Sequence, residues 1–355
     1  MAKRKRMKLN KKGKRFLSII AIILIASIAI IISLNSNDDT KKIEKKKEKK
    51  KEEPIVEEKL KILDLDSNTR PYAVMINNIK TVWGYQSGVQ DAYLVYEIIV
   101  EGGYTRLMAV YKDKNLDRIG SVRSSRHYFL DYALENDAVY VHFGWSPQAQ
   151  SDISSLGVNN INFMSYSGYT RDKSLGLASE HTAFTTTSNI MSGIDYYGYR
   201  NTTEKDILLD YSVKPVNISN MEGAVPANKI YIDYSASRST SFEYDSINKV
   251  YKRFQNDIAH TDYVTKEQYT AKNIITYQVT NYNIPGGGKN RQTIENIGSG
   301  TGWYITEGYA VPITWEKSSR SSQTIYKYTD GTKIKVNDGN TYIQIQPTGR
   351  NLTIE

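Results

Sequence analysis

The sequence predicts an α+β protein: an N-terminal α/β domain containing a βαβ unit, a C-terminal, mainly antiparallel β domain, and one transmembrane helix ahead of both. Three observations predict it. Residues 16–34 form nineteen consecutive positions without a charge, close to the roughly 20 apolar residues that a helix needs to cross the hydrocarbon core. Residues 106–143 read strand, helix, strand at the length of a βαβ unit. From Lys229 onward, short runs such as KIYIDYS, NIITYQVTNY and TYIQIQ are dominated by Tyr, Ile, Val and Thr, residues that fit a pleated, half-buried surface.

The 355 residues carry a formal net charge of +9, and its distribution decides what that charge means. Nine Lys and Arg precede the apolar run, and ten Lys face eight acids over residues 38–61. From Ile62 onward 28 Lys and Arg stand against 30 Asp and Glu, a net of −2. The body is near neutral, so no nucleic-acid partner is expected through it. Basic residues are held on the cytoplasmic side, which makes residues 1–15 a cytoplasmic basic tail. The chain then reads as a single-pass protein of the cell membrane, attached through residues 16–34, with its body extracytoplasmic. The apolar run exceeds the roughly 7–15 residues of a cleavable signal core and ends in SLNSNDD, which favours an uncleaved anchor. With no cysteine there is neither a disulfide nor a lipid-modified thiol. An exported chain of this kind fits a Gram-positive bacterium better than a secreted animal protein. Residues 35–68 are expected to form a charged, disordered tether, because KKIEKKKEKKKEEP cannot bury enough surface to offset the entropy of ordering.

An N-terminal α/β domain is expected over residues 69–210. PYAVMIN, residues 71–77, has the look of a buried strand. VQDAYLVYEIIVEGG, residues 89–103, spaces its apolar residues helically and ends on Gly102, a left-handed C-cap; its β-branched Ile98, Ile99 and Val100 keep a strand open. As a helix it would set Glu97 and Glu101 one turn apart. RLMAVY, residues 106–111, is the next strand. A helix capped by Ser124 or Ser125 follows through HYFLDYALEN, and residues 138–143 return as a strand. Ser146 before Pro147 reads as an N-cap and first helical position, with the helix stopping at Gly157. A further helix is expected over 187–197. Residues 211–228 read as a connector, broken by Pro215, Gly223 and Pro226. The β domain then occupies 229–355.

The chemistry concentrates in residues 97–126 and 142–147. Arg106, Arg123 and Arg126 are fork-shaped donors near strand ends and helix starts, a ready site for phosphate, sulfate or carboxylate. The competing structural reading pairs them with Glu97, Glu101 and Asp131. Glu97 with Glu101 also has the makings of an acid and base pair, although a solvated face or arginine partners are the commoner use. His142, Ser146 and His181 invite a hydrolase reading, but GWSP lacks the second glycine of a nucleophile elbow and a helix cap already accounts for the serine. Four scattered histidines and no cysteine offer no metal-ligand spacing. PGGGK, residues 285–289, lacks the Ser or Thr of a phosphate loop and reads as a mobile loop between strands.

Several short motifs occur in order: Arg70 and Pro71; Asn77 and Asn78; Gln86 to Gly88; Val95 to Glu97; Glu101 to Gly103; Thr105 and Arg106; Gly120; Val122 to Ser124; Arg126; and His142, Gly144, Ser146 and Pro147. Together they resemble the YerB-like family of bacterial envelope lipoproteins. The likeness extends more weakly through Arg171, His181, His260 and residues 300–346. The resemblance implies an envelope location and a two-part body, an N-terminal α/β domain and a small C-terminal β domain; it implies no activity. The chain departs from that family in having the apolar run 16–34 in place of a lipidated cysteine. The residues themselves favour binding of a polar or anionic cell-envelope ligand, or of a partner protein. Arg106, Arg123 and Arg126 would hold the negative group, Glu97 and Glu101 would orient them, and Ser124, His142, Ser146 and His181 would line the same mouth. No cofactor is expected. The alternative is an envelope hydrolase or phosphoryl transferase acting on cell-wall precursors, so whether the chain is an enzyme stays open here.

Overall fold

The computed structural model describes residues 59–286 and 288–355. The basic tail, the apolar run 16–34 and most of the tether lie outside them. Among the described residues no helix is long and apolar enough to cross a membrane. In chain order the elements used below are β1 Tyr72–Asn77, β2 Leu94–Ile99, β3 Thr105–Tyr111, α1 His127–Glu135, β4 Val139–His142, α2 Pro147–Ser155, β5 Asn160–Asn162 and α3 Thr187–Tyr196. They continue with β6 Val225–Pro226, β7 Lys229–Ser235, β8 Arg238–Asp245, β9 Val250–Gln255, β10 Asn273–Val279, β11 Gly298–Thr306, β12 Tyr309–Lys317, β13 Thr341–Pro347 and β14 Leu352–Ile354.

An eleven-stranded sheet organises the fold, in the order β6-β12-β11-β10-β13-β2-β3-β1-β4-β5, with Ile325–Tyr328 added beside β12. It crosses the boundary expected at residues 211–228: β2 pairs parallel with β13, Leu94 opposite Thr341 through Ile98 opposite Ile345. Alternation along the central strands serves two cores. Met75, Tyr96 and Met108 face the layer that contains Phe129 and Tyr132 of α1. Val74, Val95 and Leu107 belong with Ile190 of α3 and Ile230, Ile232 and Phe242 of a second sheet. That second sheet runs Ile258–Ala259, β9, β8, β7, β14, with Thr270–Ala271 beside β9. Each such residue stabilises by about 1.5–3 kcal/mol on full burial, so a strand buried on both faces reads as a continuous apolar run.

That double burial explains the first correction. Residues 89–103 are not a helix: a short turn, Val89–Asp91, leads into β2, whose six residues are all buried. β-branched side chains pack between two layers, and the period of two puts Glu97 opposite Leu107 and Ile98 opposite Arg106. The βαβ unit is also elsewhere. β3 and β4 are separated by β1, antiparallel to one and parallel to the other; the strands joined through a helix and paired parallel are β4 and β5, through α2. α1 begins after Arg126, with no side chain capping it, instead of at Ser124 or Ser125. Residues 60–63 do not continue a tether: Leu63 is buried, and the Lys61 and Ile62 amides donate to the Asp338 carboxylate at 2.9–3.0 Å. The connector contributes Asp210–Ser212, parallel to Lys335–Asn337, and β6 at the edge of the main sheet. The Ser146 cap, Pro147 and the stop before Gly157 stand where the sequence puts them.

Candidate functional site

β1, β2 and β4 run in the same direction, and their carboxyl ends meet the start of β3 at one cavity of about 630 Å³. Ligands of open α/β sheets bind at such strand ends. The hairpin between β2 and β3 closes through Gly102 and Gly103, at φ 71° and 72°, with the Val100 amide donating to the Tyr104 carbonyl at 2.7 Å. A Cβ on Gly103 would stand 2.8 Å from Ser235 Oγ, so this tight turn favours glycine in both backbone and space. The turn brings Glu101 to the cavity. The segment before α1 is held in extended form: the Arg123 amide donates to the Met75 carbonyl at 2.8 Å, and the Phe143 amide to the Arg123 carbonyl at 3.0 Å. Arg123, Ser124 and Arg126 are thereby fixed between the ends of β1 and β4.

The three arginines meet the cavity in different electrostatic states. Arg126 grips Glu101 through two bonds, Nε to Oε1 at 2.5 Å and Nη2 to Oε2 at 2.8 Å. Burial works to raise the Glu101 pKa, but the hydrogen bonds and charge of Arg126, with Arg106 nearby, hold it below the ordinary value. Arg123 reaches Glu180 Oε1 at 3.1 Å. Arg106 is different. It is only 7% exposed, donates through Nη1 to the Ser124 carbonyl, and forms no salt bridge among the described residues. Burial, then the charges of Arg126 and Arg123, push its pKa down to about 9, with Glu101 opposing, so it is still a cation at neutral pH. An ion taken out of water without a counter-ion costs several kcal/mol.

Ser146 and His181 also line the cavity. Ser146 Oγ accepts from the Ala149 amide at 3.2 Å as the N-cap of α2. His181 Nδ1 lies 3.0 Å from Asn77 Nδ2, and burial with the charge of Arg123 keeps its pKa low, against Glu180. Two expected residues are elsewhere. Glu97 is fully buried on the other face of β2, bonded by Arg253, Thr105 and Thr240 at 2.6–3.0 Å. His142 is fully buried in β4, its Nδ1 donating to the Gly144 carbonyl at 2.8 Å. Strand alternation turns Glu97 to the face opposite Arg106, whereas His142 shares the face of Arg106 but stands across β1 from it, held by Gly144 and Asn160.

Sequence reasoning missed Tyr104, Trp145, Glu180, Lys289 and Arg291, which line the same cavity. The last two are the lysine that ends PGGGK and the arginine two positions on, between Asn281–Asn283 and Gln292–Ile294. Nothing local marks them, since they stand more than 150 positions from Arg126. Their shared sign with the arginines is the one available signal. Among the described residues no three His, Asp or Glu side chains converge as metal ligands.

Two family models match the chain: "Protein of unknown function (DUF3048) N-terminal domain" over residues 60–200 and "Protein of unknown function (DUF3048) C-terminal domain" over residues 230–343. Among curated proteins the chain is similar to the "Putative lipoprotein YerB" of Bacillus subtilis (strain 168). It is 27% identical over 284 residues, which cover 78% of this chain and 81% of that one. Among solved structures it is similar to the crystal structure of the YerB protein from Bacillus subtilis, with a TM-score of 0.71 and 23% identity. The match covers 83% of this chain and 99% of the other, a likeness of fold.

Proposed function

The chain belongs to the YerB-like DUF3048 family, and on that premise we propose that it is an extracytoplasmic protein held at the membrane by residues 16–34, whose body binds a polar, anionic envelope ligand. The relative is named a putative lipoprotein. This chain has no cysteine to lipidate, so the apolar run takes over the attachment.

The binding reading rests on Arg106: a nearly buried guanidinium lining a cavity, beside two more arginines, with no carboxylate of its own. A bound anion supplies the missing counter-ion. No observation favours the hydrolase or phosphoryl-transferase alternative, since Glu101 and Glu180 are both engaged by arginines.

Thermal unfolding of the purified full-length chain, titrated with phosphate, sulfate and citrate against sodium chloride at equal ionic strength, tests the proposal. At least one anion raises Tm as mass action requires, by about 2.7 kcal/mol of stabilisation at one hundred times Kd. Arg106→Gln abolishes that rise without lowering the Tm of the unliganded protein, because it removes an uncompensated charge. Failure of all three anions, or a response unchanged in Arg106→Gln, rejects the site.

A further inference from the structure

Resting on that reading, we propose that the ligand is a phosphorylated saccharide, held by a dianionic phosphate monoester at the arginines with its sugar ring on the indole of Trp145. Charge comes first. Arg291 aside, four cationic side chains, Arg106, Arg123, Arg126 and Lys289, line the cavity against the carboxylates of Glu101 and Glu180, a surplus of two positive charges. A monocarboxylate leaves half of that surplus unmatched, and a dianion matches it. A phosphate monoester brings roughly −1.5 to −2 charges and three acceptor oxygens at neutral pH, which suit forked guanidinium donors.

Two helix starts add to the same field. Arg126 is the N-cap of α1 and Ser146 the N-cap of α2, each helix nine residues long, and both caps line the cavity. Helix N-termini favour anions. Arg106 is the independent mark of a ligand there, being more than nine-tenths buried and without an ionic partner among the described residues.

Size and lining then choose among anions. A cavity of about 630 Å³ falls within the roughly 300–1,000 Å³ that holds a small organic ligand. Inorganic phosphate fills a minor part of it. The rest of the lining joins flat aromatic faces, Trp145 and the 47% exposed Tyr104, to neutral hydrogen-bonding groups, the side chains of Asn77 and Asn290. A sugar ring is made for such a mixture: its C–H face lies on an aromatic ring while its hydroxyls meet amides. A purely apolar tail would offer these amides no hydrogen bond beyond the one Asn77 shares with His181.

The test is titration calorimetry of the full-length chain with α-glucose 1-phosphate, its methyl phosphodiester, inorganic phosphate, citrate and glucose at matched ionic strength. Glucose 1-phosphate binds at least tenfold tighter than inorganic phosphate, the diester binds more weakly for lack of one charge, and glucose does not bind. Trp145→Ala, or Tyr104→Ala should the first variant not fold, erases the advantage of the sugar phosphate and leaves phosphate affinity unchanged. A sugar phosphate no tighter than phosphate or citrate overturns the saccharide while anion binding stands. Diester binding as tight as the monoester overturns the dianion, and silence from every anion sinks both this inference and the reading beneath it.

Discussion

At the scale of single residues the two glutamates of the β2 region show how one chemical group is put to different uses. Glu97 is sealed between sheets, accepting from Arg253, Thr105, Thr240 and Asn78, with Arg238 at 3.5 Å. Burial works to raise its pKa, yet Arg253 and Arg238 hold it below the ordinary value. Glu101, four residues on, lines the cavity and grips Arg126. Breaking a buried pair from one side leaves an uncompensated charge, at a cost of about 3–5 kcal/mol. Glu97→Gln strands two buried arginines, so urea unfolding should show a loss of that order. A loss under about 1 kcal/mol would mean that Arg238 and Arg253 do not depend on this carboxylate.

Individual elements carry the next level of argument. α2 starts at Ser146 with proline in its first turn, and Ser146 is 3% exposed with its hydroxyl taken by the Ala149 amide. A serine used in this way holds a helix end in place. Ser146→Ala therefore lowers stability by about 0.5–2 kcal/mol, the usual cost of a lost cap, and Ser146→Asp restores most of it. Denaturant midpoints of the two variants check this, and equal losses in both would remove the capping role. The element that sequence reasoning misjudged was β2. Its spacing suits a helix and its β-branched residues suit a strand, and the local pattern does not arbitrate. Pairing with β3 on one side and β13 on the other does, by burying all six residues.

For the whole molecule, the shared sheet makes the two family-matched halves one folding problem. β13 enters between β10 and β2, and Glu97 of the first half is neutralised by Arg238 and Arg253 of the second. Calorimetry of the full-length chain should give one transition for the described body, and two separated transitions would show independent halves. Its midpoint also carries a signature of pH. All four histidines have pKa values below the ordinary 6.5, chiefly through burial; His127 falls to about 4 and His260 goes well below under the added charge of Arg253. The unfolded chain therefore binds more protons below pH 6.5 than the folded one. Stability is fully present above that value and declines on acidification, by about 1.4 kcal/mol per pH unit for each histidine that stays neutral. A midpoint unchanged between pH 7 and pH 5 would contradict the burial of His142 and His260.

Much of this was legible locally. The apolar run 16–34, the Ser146 and Pro147 helix start and the alternating C-terminal strands depend on composition and short-range spacing, which a chain carries wherever it folds. The three arginines were legible as chemistry, because like charges gathered within twenty residues need an explanation. Which residues join them was not. Strand period sends Glu97 to the opposite face, β1 stands between His142 and Arg106, and Lys289 and Arg291 arrive from a distant turn. Sequence alone determined the family, the elements' main residues and the sign of the charge; tertiary structure decided which side chains share the cavity, because contact across a sheet depends on register and facing, and these exist only once distant strands have paired.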